Sequence, residues 1–198
     1  GKQWIAINNP PAEVWPRLRS ILTRSAIPTA KMDPPKGILD TGWLQFKDDE
    51  KHSHKFRFLI SPGVGVSSSE IRVTQMHTVA GQEDSLTEWP LNSMSLSREE
   101  EFTKIIANTL VSDVTGTSVS LLAQNIGGES RVKVVIPEDE EPYIEMKLGY
   151  VRSWTAVLKS LSLGGFSVVS DDQASGQLSV EFTEIELVTE DESLLGLV

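Results

Sequence analysis

The chain has 198 residues, 39% of them hydrophobic, with five Trp and six Phe. That is enough apolar side chain for one large core or two small ones, and it excludes a disordered chain. A formal net charge of −10 argues against a nucleic-acid binder, which needs a basic face to displace counterions.

No cysteine is present, so disulfides and thiolate metal sites are excluded, although the compartment is not fixed by that. No run approaches the roughly 18–20 apolar residues of a membrane span. The chain begins at Gly1 rather than Met, and the expectation is that an upstream segment, such as a signal peptide or lipid-attachment site, has been removed.

Trp4 to Asn8 alternates around Ile5 and Ile7 and reads as a half-buried strand. Pro10 and Pro11 then open a helix, where a missing N–H costs nothing, with Asn9 as its expected cap. Trp15, Leu18 and Leu22 follow at helical spacing. Ile27 to Met32 is the next strand. "DPPKG", 33–37, is a turn, and Ile38 to Phe46 returns antiparallel. "HKFRFLI", 54–60, sets Phe56, Phe58 and Ile60 against Lys55 and Arg57, and "SEIRVTQMH", 69–77, alternates again. "SREE", 97–100, matches a capping box. Glu99, Glu100 and Glu101 suit the positive end of the helix it opens, whose buried stripe is Phe102, Ile105, Ile106 and Leu110. An antiparallel sheet with a long helix on one face is therefore expected over 1–113. Residues 114–131, rich in Ser, Thr and Gly, read as a linker.

The second half repeats the first. At an offset of 139 residues Ile5 falls on Ile144, Trp15 on Trp154, Leu22 on Leu161, Asp33 on Asp172, Gly37 on Gly176 and Leu39 on Leu178. "RSWTAVLKSL", 152–161, is the helix again, and "DDQASG", 171–176, is the turn again. A second copy of the strand–helix–hairpin unit is expected over 132–198, with no counterpart of the strand at 69–77 or of the helix after it. Two copies are too few for a solenoid. A second sheet lacking that helix would leave an apolar face in water, so either residues are missing or another element completes the unit.

The ordered pair "VWPRLRSIL…ILDTGWLQF" and "SWTAVLKSL…GQLSVEF" resembles the BamC (NlpB) lipoproteins, accessory subunits of the Gram-negative outer-membrane β-barrel assembly machinery. The resemblance implies an α+β chain of two helix-grip domains, each an antiparallel sheet packed against helices, the second incomplete. It implies a non-catalytic interaction scaffold without cofactors. A lipid anchor outside this chain would tether it to the outer membrane, with its domains in the periplasm or at the cell surface. A BamD-like lipoprotein and the barrel core protein would be its partners. The family's lipidated Cys and its extended N-terminal arm, which docks on BamD, are not in this sequence.

Candidate sites are few. His52 and His54 make a His-x-His that a strand would place on one face, a candidate metal pair. No third ligand is evident, and a solvated hairpin tip explains them as well. His77 reads as a surface residue at a strand end. "GVGVSSS", 63–69, lacks the Lys and following helix of a phosphate loop and reads as a hairpin connection. No Gly-x-Ser-x-Gly elbow exists for nucleophilic chemistry. "PEDEEP", 137–142, lacks the alternating ligands and central Gly of a calcium loop and reads as a solvated acidic loop. Trp15 and Trp154 belong to helix cores. Trp89, beside Pro90 in an irregular stretch, is either an interface anchor or a plug of the sheet edge. With the helix at 98–112, represented by Glu99, Glu100 and Lys104, it forms the candidate protein interface. The alternative function is a helix-grip domain holding a hydrophobic ligand between helix and sheet. Against it, Phe, Trp and Ile stand where a cavity would need small residues.

Overall fold

The computed structural model describes residues 4–65, 67–112, 126–138 and 140–182. The protein is mixed α+β, and its sheets are antiparallel. The chain divides into two compact units, Gly1–Glu145 and Met146–Val198.

In the first unit, strand β1 (Ile5–Ile7) leads into helix α1 (Pro11–Arg24). Pro10 and Pro11 open the helix as expected, but Asn9 does not cap it. Its amide instead donates to Glu13 Oε2 at 2.8 Å, and its side-chain oxygen accepts from Arg17. Strands β2 (Thr29–Asp33) and β3 (Ile38–Thr41) follow as a hairpin. Gly37 closes their turn at φ 66°, a conformation that only glycine takes without strain. A Cβ there would overlap the carbonyl oxygen of Ile60.

The single return strand expected over 38–46 is two strands. Gly42 breaks it by bonding to the carbonyl of Pro28 at 2.6 Å, and β4 (Leu44–Phe46) resumes further along the same neighbour. That neighbour is β5 (Asp49–Pro62), which pairs along its length with β6 (Ser69–Val79). The sheet order is β1-β6-β5-β3-β2, with β4 also on β5. A 3-10 turn (Glu83–Ser85) and an irregular stretch precede helix α2 (Leu96–Ser112).

The capping box at Ser97 is displaced by two residues. Ser95 is the cap: its Oγ accepts from Arg98 N at 3.3 Å and its carbonyl from Glu99 N at 3.0 Å. The stripe of α2 holds Phe102, Thr103, Ile106 and Leu110, while Ile105 is exposed.

Side chains alternate across a strand. The even positions of β5 (Phe56, Phe58, Ile60) and their register partners Val73 and Ile71 on β6 meet Val14, Trp15, Leu18, Ile21 and Leu22 of α1 and the stripe of α2. Phe102 stacks on Phe56 with centroids 3.8 Å apart. Arg17 donates to the Leu110 carbonyl at 2.7 Å, which ties α1 to the last turn of α2. Aromatic and aliphatic side chains thus occupy the space between helix and sheet.

Residues 114–125 of the expected linker lie outside the described residues. Beyond them, Ile126 is buried in the first unit's core, Gly127 N donates to Pro34 O, and Arg131 pairs with Glu70 at 3.2 Å. Strands β7 (Val132–Val135) and β8 (Tyr143–Met146) form a separate two-stranded sheet. The acidic residues Glu138, Glu140 and Glu141 are exposed in the loop joining them.

The second unit holds α3 (Tyr150–Leu163) and the hairpin β9 (Phe166–Asp172) and β10 (Gln177–Phe182). Residues 150–163 are 11–24 displaced by 139, and Gly176 repeats Gly37 with φ 74°. Trp154 is buried as Trp15 is, and its indole N–H donates to Asp171 at 3.0 Å. Phe166, Val168, Val180 and Phe182 on the hairpin remain exposed.

Truncating Phe56 to Ala removes the centre of the first core. It should cost about 3–5 kcal/mol of unfolding free energy. Leu91→Ala, at a 94% exposed position, should stay within about 0.5 kcal/mol. Urea denaturation of the two variants beside the parent checks both.

Candidate docking groove and polar cluster

The odd positions of β5 face away from the helices. Arg57, Leu59 and their partners Asp40, Ile38, Thr74 and Arg72 form this outer face. The irregular stretch before α2 runs along the β6 edge and adds Leu91, Asn92 and Ser93. Leu96 and Glu99 from the start of α2 complete a groove of about 710 Å³. Leu91 is 94% and Leu96 71% exposed.

Arg57 is fixed at the groove floor. Both arms of its guanidinium donate to Asp40, each at 2.7 Å. Asp40 is only 2% exposed. Trp89 covers the guanidinium, 4.5 Å from the ring centroid, a cation–π contact. The bidentate fork is the strong form of such a pair. Trp89 is half-buried and held by this stacking. The Arg72 side chain makes no hydrogen bond or ion pair among the described residues, so its charge is available in the same groove as Ile38, Leu59 and Leu91.

Of the four candidate interface residues, Glu99 lines this groove, and Trp89 adjoins it by stacking on Arg57. Glu100 and Lys104 do not line it; they pair with each other at 2.8 Å on the surface of α2. Sequence reasoning passed over Arg57, Asp40, Arg72, Leu91 and Leu96. The signal was present in part: a charged residue between two buried phenylalanines marks the outer face of the same strand.

The His-x-His pair is not a solvated hairpin tip. β5 begins at Asp49, before the histidines, so both sit inside the strand, and His54 is 3% exposed. Burial is possible because each ring nitrogen of His54 has a partner: Nε2 lies 3.1 Å from Asp49 Oδ2 and Nδ1 2.9 Å from Gln75 Nε2. His77, expected at the surface, is half-buried opposite His54, with ring centroids 5.5 Å apart. His52 Nδ1 bonds Asp49 Oδ1 at 2.8 Å. A wall of α2 closes this cluster: Arg98 stacks on Phe46 and pairs with Asp48 and Glu101, each at 2.8 Å. Among the described residues no three His, Asp or Glu side chains are placed to hold a metal ion.

Burial holds the His54 pKa below the ordinary imidazole value, and Arg98 and His77 push the same way, while Asp49 opposes them. Asp49 is held below the usual carboxylate range chiefly by its hydrogen bond with His52. Asp48 is lowered in the same sense by Arg98.

The chain matches no known protein-family model, and no curated protein matches its sequence.

Two outcomes test this geometry. Arg57→Met strands the buried Asp40 carboxylate and should cost about 3–5 kcal/mol, whereas Asp40→Asn combined with Arg57→Met should recover most of that. A double-mutant cycle by denaturation measures it. The neutral form of His54 is the one the fold favours. Its contribution to stability is therefore complete above the unfolded-state value near about pH 6.5, and it is lost as pH falls through the lowered folded value. Melting temperature should fall between pH 7.5 and pH 5, and His54→Gln, which cannot titrate, should flatten that slope.

Proposed function

We propose that this chain is a non-catalytic docking module. Its role is that of an accessory lipoprotein of the outer-membrane β-barrel assembly machinery, as the resemblance to BamC-type lipoproteins suggests. The observation that carries the docking role is the outer-face groove. Two exposed leucines flank a fixed Arg–Trp stack and an uncommitted Arg72, an apolar anchor site with a polar rim of the kind that dominates protein interfaces. In this reading each copy of the repeated strand–helix–hairpin is a helix-grip unit, the second incomplete. A lipid anchor outside this chain raises the effective concentration of both units near the machinery. The partner segment lies with apolar side chains against Leu91 and Leu96.

The alternative of a hydrophobic ligand between the long helix and the sheet gains no support from the packing, because the stacked Phe56 and Phe102 fill that space.

Pull-down from detergent-solubilised Gram-negative outer membranes tests the proposal, under conditions that recover the intact assembly complex. The tagged chain should bring down the barrel core protein or its BamD-like lipoprotein. A Leu91→Asp, Leu96→Asp double variant, still folded by circular dichroism, should recover at least about tenfold less. Recovery of the complete machinery without the parent chain would overturn the proposal.

A further inference from the structure

One amide joins the polar cluster to the docking groove. Gln75 is fully buried on β6, and its Oε1 accepts the backbone N–H of Ser95 at 2.9 Å. A backbone N–H can only donate, so this bond fixes the orientation of the side-chain amide. The NH₂ end must then face the two histidines, 2.9 Å from His54 Nδ1 and 3.3 Å from His77 Nδ1. Its two hydrogens supply one bond to each ring. Both Nδ1 atoms are therefore acceptors, and in His54 the ring proton sits on Nε2. His54 Nε2–H donates to Asp49.

The consequence follows from donor counting. A proton added at Nδ1 of His54 turns that nitrogen into a donor facing a donor. The conflict is relieved only if the Gln75 amide turns over or withdraws, and either move takes Oε1 away from Ser95 N–H. Ser95 is the cap of α2, and Leu96 and the residues just before the cap form one wall of the groove. Gln75 also anchors that wall through its backbone, with its N–H on Ser93 Oγ and its carbonyl accepting from Met94 N.

We propose that Gln75 is a proton-sensitive clamp: protonation of His54 releases the Ser95 cap and loosens the groove wall formed by residues 91–96. The groups facing His54 set its response. Asp49 and His52 stand on β5, Asp48 in the turn before it, His77 on β6, and Arg98 and Glu101 on α2. Burial opposes the proton, with Arg98 and His77 acting the same way, and Asp49 favours it. Loosening therefore sets in below neutral pH. The link to partner binding rests on the docking reading; the clamp itself does not.

The test is hydrogen exchange at single amides together with NMR titration of the histidine rings, on this whole chain, between pH 7.5 and 5. The Ser95 protection factor should fall at least about tenfold as His54 takes up its proton, while amides at the centre of β5 stay protected. In a His54→Gln, His77→Gln variant each glutamine can still accept from Gln75, and that at 54 can donate to Asp49, but neither can titrate. Ser95 protection should then be independent of pH. Unchanged Ser95 protection while His54 titrates would overturn the clamp. So would the same loss in the double variant, or a His54 that stays neutral to pH 5. Partner recovery is not part of this readout, so the clamp and the docking role fail separately.

Discussion

The parity of one long strand organises the first unit. β5 and β6 pair over eleven register positions from His52–Val79 to Pro62–Ser69, and a slip of one residue would turn every side chain to the opposite face. With Phe56, Phe58 and Ile60 committed to the helices, Arg57 and Leu59 have no choice but the other side. The same parity sends His54 inward at the end of the core and Arg72 outward beside Leu59. Core, groove floor and polar cluster are three results of one register.

Two polar devices then tie the faces together. On the outside, the Asp40–Arg57 fork is covered by Trp89, which brings the irregular stretch 86–95 back over the sheet. On the inside, Gln75 spends both ends of its amide, one on the histidines and one on the α2 cap. Each device works because its members are fully paired; a buried polar group with a partner removed is costly. The exposed leucines at 91 and 96 are carried on the segment that these two devices pin down, which gives apolar anchors a defined position.

Much of this was legible in the sequence. The alternation in "HKFRFLI" placed three core residues and the outward Arg57. The offset of 139 placed α3 against α1, and Gly176 against Gly37, residue for residue. What could not be read depends on partners distant in the chain. Ser97 fits the local capping rule, yet Ser95 is the cap, because Gln75 Oε1 holds its N–H from another strand. His54 looked solvated because a histidine in a run of charges has no visible partner; Asp49 and Gln75 supply one only after the strand forms. Trp89 was open between two roles because nothing local says that Arg57 lies beneath it. The break at Gly42 was hidden for the same reason: Pro28 O, which it bonds, belongs to the approach to β2.

Site-specific photo-crosslinking tests the central claim most directly. A photoreactive phenylalanine analogue is placed at Leu91 of this chain in living cells, and control copies carry it at Ile105 on the exposed side of α2 and at Thr23 on α1. If the outer-face groove is the docking surface, position 91 joins to a subunit of the barrel-assembly machinery and the two controls do not. Crosslinks to those subunits from the helix positions, with none from 91, would contradict it.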